Sequence, residues 1–144
     1  MSNSDNPGNG AKFQMDVRDW FKDNYGDGFE LEKKRPIGCQ GCTKEHKFDI
    51  VNQDKMIAID CKRYTWTATG NVPSAKMGFT NEAAFYLHFL DNYEKYIVML
   101  RSINPKRKET LAEYYYRTNK HLLGDIKVAE YDPQTKCFRV IGLD

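Results

Sequence analysis

No uninterrupted apolar run in this sequence approaches the roughly 18 residues that a membrane-spanning helix requires. The first ten residues are polar and rich in Asn, Ser and Gly, without the apolar stretch of a secretory signal. Residues 1–11 are therefore expected to be a disordered lead-in, and the expected compartment is the cytoplasm. An excess of charge of one sign is also missing. Lys and Arg number 22 against 20 Asp and Glu, a formal charge of +2, so any attraction to nucleic acid has to be local and not domain-wide. Internal repeats and long linkers are absent too. The 144 residues, 40% of them hydrophobic, suit one domain over residues 12–144, large enough to bury a core without staples.

Cysteine is scarce: Cys39, Cys42, Cys61 and Cys137. Cys39-Gln40-Gly41-Cys42 is a C-x-x-C pair with His46 close behind. A structural zinc site needs four ligands, and no second C-x-x-C or H-x3-H supplies the rest. A redox C-x-x-C normally opens a helix in a βαβ setting, whereas this one lies in a Gly-rich turn. Reduced cysteines in a loop are the expectation.

Hydrophobic spacing orders the remainder. Phe13, Val17, Trp20 and Phe21 fall on one face of a helix over residues 12–25, stopped by Gly26-Asp27-Gly28. A strand follows over 29–37, a turn over 38–44, and a second strand over 46–52, in which Phe48, Ile50 and Asn52 alternate with Lys47, Asp49 and Val51. The third strand, 56–65, begins with the continuous apolar run of a strand buried on both faces, and it pairs with the second like a hairpin. Ser74 is expected to cap a helix that runs to about residue 91 with Phe79, Ala83, Tyr86, Leu87 and Leu90 at helical spacing. The fourth strand, 95–101, is apolar and central. A basic loop over 105–108, a helix over 109–123, and two short strands over 126–131 and 137–141 complete an order of αβββαβ then αββ. The fold class is α/β (α+β), a central mixed sheet flanked by helices.

Chemistry concentrates where the second and third strands meet. Asp60 and Lys62 are two residues apart, so both leave the same face as their strand emerges from the core, and Asp49 sits on the neighbouring strand. Two close carboxylates repel each other unless a cation lies between them, and oxygen ligands suit Mg2+ or Mn2+. Such a cation can polarise a phosphate and activate water, with Lys62 orienting the water or stabilising developing charge. The segment 63–71 follows directly. Its hydroxyls and amides, Asn71 among them, suit phosphate contacts, and Tyr64 and Trp66 suit base stacking. Arg63, Ser74 and Lys76 are further candidates for nucleic-acid contact, and Lys106-Arg107-Lys108 a second basic patch.

Phe48-Asp49 and Asp60-Cys61-Lys62, placed in an αβββαβ order over residues 12–102, resemble the PD-(D/E)XK superfamily of restriction-endonuclease-like nucleases. The resemblance implies that Asp49 and Asp60 are metal ligands, that Lys62 is the catalytic lysine and that the Cys61 carbonyl is a further ligand. Phe48 stands where the family's name has Pro. Many members carry an additional acid. Glu45, four residues before Asp49, is the leading candidate here, with Glu32 and Asp16 as alternatives. The implied activity is Mg2+- or Mn2+-dependent hydrolysis of DNA, and the alternative is an inactive nucleic-acid-binding or assembly module of the same fold. Cutting both strands of a duplex would most simply use a C2 homodimer, with Leu111, Tyr115, Leu122 and Phe138 as candidate contacts.

Overall fold

The computed structural model describes residues 7–143. Its elements run α1 (Pro7–Tyr25), β1 (Glu30–Cys39), β2 (Cys42–Asn52), β3 (Ile57–Lys62), α2 (Ser74–Leu87), β4 (Glu94–Leu100), β5 (Ile103–Asn104), β6 (Glu109–Thr110), α3 (Leu111–Leu123), β7 (Lys127–Asp132) and β8 (Cys137–Val140). Six strands form one sheet in the order β1-β2-β3-β4-β7-β8, and β5 and β6 make a separate small hairpin. The fold is α+β, with helices packed on a mixed sheet and the expected αβββαβ order at its start.

Parallel neighbours cannot be joined by a tight turn, so each parallel pair here carries a helical crossover. β3 and β4 are parallel and linked through α2; β4 and β7 are parallel and linked through α3. The antiparallel strands β1 and β2 flank one side, and β8 the other. β4 is buried from Lys95 to Met99, as a central strand covered on both faces must be. β1 is an edge strand, where Pro36 can leave its missing N–H toward the open side, and its charges discourage further pairing.

Each face of the sheet has its own core. On one, α1 buries Phe13, Val17 and Phe21 against Ile50, Ile57, Ile59, Tyr96 and Val98. On the other, α2 and α3 bury Ala84, Leu87, Leu111 and Tyr115 against Phe48, Ala58, Ile97 and Met99. Phe48 and Ile50 thus lie on opposite faces although they are two residues apart. The expected alternation slips at Asp49, where the β1–β2 register also skips a pair: Leu31 faces Ile50 and Lys33 faces Phe48, with Glu32 between them at φ 52°.

Several expectations need correction. Helix α1 begins at Pro7, so residues 7–11 of the expected lead-in are helical, and residues 1–6 lie outside the described residues. The turn expected over 38–44 shrinks to Gln40-Gly41, both at positive φ, because left-handed backbone at these two positions closes a tight hairpin and frees Cys42 to Glu45 to extend β2. β3 ends at Lys62 rather than at residue 65. Ser74 does not cap α2; Pro73 occupies the cap and no side chain accepts a bond there. Phe79 is 51% exposed, because α2 turns Met77, Thr80, Ala83, Ala84 and Leu87 to the core instead. No helix among the described residues is long and apolar enough to cross a membrane.

Candidate active site

β2 and β3 pair from Ile50–Ile59 to Asn52–Ile57, and beyond Ile50–Ile59 the strands part. Carboxylates take over where the backbone ladder stops. The Asp49 N–H donates to Asp60 Oδ1 at 3.1 Å, and the Cys61 N–H donates to Asp49 Oδ2 at 2.8 Å. Each acid therefore satisfies a backbone donor of the other strand, which fixes both side chains across the gap. The second oxygen of each, Asp49 Oδ1 and Asp60 Oδ2, has no protein partner among the described residues. On the far side of β2, Gln14 of α1 donates to the Asp49 carbonyl at 3.0 Å.

This gap opens into a cleft of about 280 Å³ lined by His46, Lys47, Asp49, Asp60, Lys62 and Tyr64 from the strands and by Phe79, Glu82, Ala83 and Tyr86 from α2. Ala58 points into the α2/α3 core, so Asp60 and Lys62, at the same parity of β3, emerge on that face beside α2. Asp60 is buried, and its burial followed by the nearby Asp49 charge pushes its carboxyl up to about 7. Burial also raises Asp49, against the opposing pull of the Cys61 N–H and of Lys62. Two desolvated acids that resist ionising side by side are the electrostatic state a divalent cation would reverse. His46 stacks on Tyr86 with ring centroids 3.9 Å apart and meets Phe48 edge-on at 4.7 Å. Burial lowers its pKa despite the charges of Asp49 and Glu82.

The donor set fits a hard cation such as Mg2+. It offers two carboxylate oxygens without protein partners among the described residues. Mg2+ characteristically keeps several waters and takes only one or two carboxylates from the protein. No group of three or more His, Cys, Asp or Glu side chains among the described residues is placed to hold a metal. That finding also bears on Cys39 and Cys42. They face each other across the β1–β2 turn, free and exposed, while His46 is committed to Tyr86 and Phe48.

The structure brings together Asp49, Asp60, Lys62 and Tyr64, with the Lys76 ammonium 5.2 Å above the Tyr64 ring. It does not bring Glu45 to them. Glu45 is exposed and lines a neighbouring hollow with Ile37, Cys42 and Phe89, because the slip at Asp49 breaks the shared parity that the spacing suggested. Asp16 is paired with Lys12 at 3.0 Å and lines a different cavity. Glu32 is exposed, but its charge does reach Asp49. Glu82, on α2, is the acid that shares the cleft and that sequence reasoning missed; its only signal was its place on a helix whose apolar residues point in several directions.

Among the candidate contact residues, Trp66 is a correction. It is 8% exposed, packs edge-on against Tyr114 and belongs to the α2/α3 core, so its ring has no free face for a base. Arg63 points to the opposite face from Lys62, into a cavity with Phe13 and Asp132. Asn71 is exposed, but its amide binds Thr69 and its N–H binds Thr67, so these groups shape the loop. Ser74 is exposed as the first residue of α2. Of the residues considered for a dimer contact, Leu111 and Tyr115 are fully buried in this chain and Phe138 stacks on Trp20 at 3.8 Å; Leu122 alone is half exposed.

Set against family models, curated proteins and solved structures, the chain matches none of them.

Proposed function

We propose that this protein is a divalent-metal-dependent nuclease that hydrolyses phosphodiester bonds in DNA, with Asp49, Asp60 and Lys62 as its working residues. The observation that carries this reading is the parted β2–β3 edge. There two carboxylates, Asp60 buried and Asp49 half-buried, are each locked by a backbone N–H, each keeps one oxygen without a protein partner among the described residues, and a lysine emerges one alternation beyond. The resemblance of Asp49 and Asp60-Cys61-Lys62 to the PD-(D/E)XK pattern, on the second and third strands of an αβββαβ order, supports it. A cytoplasmic placement belongs to the same proposal.

In this mechanism Asp49 and Asp60, with the Cys61 carbonyl, hold Mg2+ or Mn2+, which when bound supplies Lewis-acid polarisation of the phosphate and a lower pKa for water. Lys62 presents its ammonium to the phosphate and stabilises charge as water attacks phosphorus and the bond to the leaving oxygen breaks. The two backbone N–H bonds keep the carboxylates from swinging away, so the site is organised before substrate arrives. The hydroxyl of Tyr64 and the ammonium of Lys76 lie beside the cleft to contact the same backbone.

The test is cleavage of plasmid and oligonucleotide DNA with Mg2+ and with Mn2+. Wild type should cut only with metal, and Asp60→Ala and Lys62→Ala should each lose on the order of 10³-fold or more in rate. Undiminished cutting by both variants overturns the assignment. A second reading, a catalytically silent binding module, draws on the lack of a third ligating side chain among the described residues. It requires DNA binding with no Asp60-dependent uptake of Mg2+ or Mn2+ in calorimetry. A C2 homodimer remains the simplest way to cut both strands, and light scattering over a concentration series tests it.

A further inference from the structure

Many cations of this chain are neutralised within it. Arg117 lies 3.0 Å from Glu109 and Arg139 2.7 Å from Glu130, for example. Other cations have no acidic partner within ion-pair distance among the described residues, and Lys106, Arg107 and Lys108 are three of these in a row. All three are exposed at the tip of the β5–β6 hairpin. Glu109, the acid next to them in sequence, is committed to Arg117 through two hydrogen bonds.

The fold fastens this tip to the loop that leaves β3, the strand that carries Asp60 and Lys62. β3 and β4 are parallel, and Lys62 pairs in register with Met99, so both strands end at one edge of the sheet. The small hairpin starts at Ile103, four residues after Lys62's partner. It is then fastened to the loop that leaves β3. Asn104, 2% exposed, donates to the Gly70 carbonyl at 2.9 Å and accepts the Lys106 N–H at 3.0 Å. The Lys108 N–H closes the turn on the Asn104 carbonyl at 2.7 Å. The Trp66 N–H donates to the Ser102 hydroxyl at 3.1 Å. Arg107 does not trail into solvent; its guanidinium lies over Trp66 at 5.2 Å and over Tyr114 at 5.7 Å. Stacking of this kind fixes the plane of an arginine while leaving its N–H groups to meet a phosphate. Beneath it the Trp66 indole N–H is buried without an acceptor among the described residues.

We propose that the β5–β6 tip is a phosphate-binding arm of the substrate site, in which Lys106, Arg107 and Lys108 grip the nucleic-acid backbone beside the bond that is cut. The identity of the polymer rests on the nuclease reading, but the arm itself serves binding and not hydrolysis. Contacts of these cations to phosphates position the substrate without selecting its sequence.

The experiment is fluorescence anisotropy with a labelled DNA duplex in EDTA, titrated over a range of salt concentrations. Each phosphate that the protein ceases to neutralise lowers the slope of log K against log salt by about 0.9 for duplex DNA. The triple variant Lys106→Ala, Arg107→Ala, Lys108→Ala should therefore flatten the slope by roughly 2 to 3. The double variant Lys120→Ala, Lys136→Ala, which removes exposed charge elsewhere, should leave it unchanged. An unaltered slope in the triple variant, an equal flattening in the double variant, or no metal-free binding by wild type each overturns the arm. None of these touches the nuclease assignment, which stands or falls on metal-dependent cutting by wild type and its loss in Asp60→Ala. A protein that never cuts but shows the flattened slope in the triple variant keeps the arm and discards the nuclease.

Discussion

The two faces of the sheet are built to opposite ends. The α1 face is closed. Phe21 is fully buried and touches Phe29, Tyr96 and Phe138 with centroids between 5.2 and 5.6 Å, and Trp20 stacks on Phe138 to seal the margin. The α2/α3 face is closed over β4 and β7 but opens over the ends of β2 and β3. The buried Asp60 and the half-buried Asp49 stand there in place of apolar side chains, and Phe79 and Glu82 of α2 form a rim instead of a lid. One face contributes packing; the other gives up packing to hold charge out of water. Burying Asp60 beside Asp49 stabilises nothing by itself, so the closed face has to make the fold stable enough to carry the open one.

Removing the central ring of the closed face tests that division most severely. Phe21→Ala should cost about 3 to 5 kcal/mol, since it deletes a fully buried ring and leaves a cavity that its aromatic neighbours cannot fill. Urea unfolding measures it. Phe79→Ala, at the exposed rim of the open cleft, should change the same quantity by less than about 0.5 kcal/mol. Equal losses of stability in both variants would show that the two faces are not divided in this way.

The closed face was also the more legible one. Phe13, Val17 and Phe21 recur at a spacing that only a helix can bury on one side, and the apolar runs in β3 and β4 announce strands covered on both faces. Asp60 and Lys62 could be read as neighbours because they follow such a run two residues apart. What stayed hidden depended on tertiary choices. Gln40 at φ 53° and Glu32 at φ 52° adopt a backbone region no side chain advertises, and these positions set the length of the hairpin and the slip at Asp49 that removes Glu45 from the site. Trp66 looked like a stacking platform because composition does not distinguish a buried indole from an exposed one. The β5–β6 hairpin escaped notice because strands of two residues have no period.

The electrostatic cost of the open face is itself measurable in metal-free protein. Asp60 in the folded chain is pushed from 3.8 to about 7, chiefly by burial. The folded state therefore binds the proton more tightly than the unfolded one. Between those two values the folded chain holds more protons, so stability falls as pH rises through the window and levels off above it. The loss by pH 8 is at most about 4 kcal/mol. In EDTA, wild type should melt at a lower temperature at pH 8 than at pH 5.5. Asp60→Asn, which cannot ionise, should show a smaller drop and should be the more stable protein at pH 8. Identical pH profiles for the two proteins would place Asp60 in a more solvated setting than the structure shows.

The smallest expected effect lies at the one bond that ties the closed face to the open site. Gln14 leaves α1 and donates to the Asp49 carbonyl at 3.0 Å, at the position where the β1–β2 register skips its pair. The backbone of Asp49 is therefore held from three directions: by Gln14 at its carbonyl, by the Asp60 carboxylate at its N–H, and by the Cys61 N–H through its own side chain. Gln14→Ala removes one of the three and leaves a half-buried carbonyl to find water. A hydrogen bond of this kind is worth about 0.5 to 1.5 kcal/mol net, so unfolding should shift by about 1 kcal/mol. The consequence for the site should exceed that shift. A carboxylate on a looser backbone samples positions that hold a cation poorly, so the concentration of Mg2+ needed for half-maximal cutting should rise several-fold while the rate at saturating Mg2+ stays near wild type. Gln14→Glu separates packing from donation: it keeps the side chain's length but, when ionised, offers no donor and places a negative charge at the carbonyl, so it should be worse than Gln14→Ala on both measures. If Gln14→Ala lowers stability by the expected amount and leaves the Mg2+ requirement untouched, the two N–H to carboxylate bonds suffice to hold Asp49, and the closed face supports the site only by keeping the chain folded.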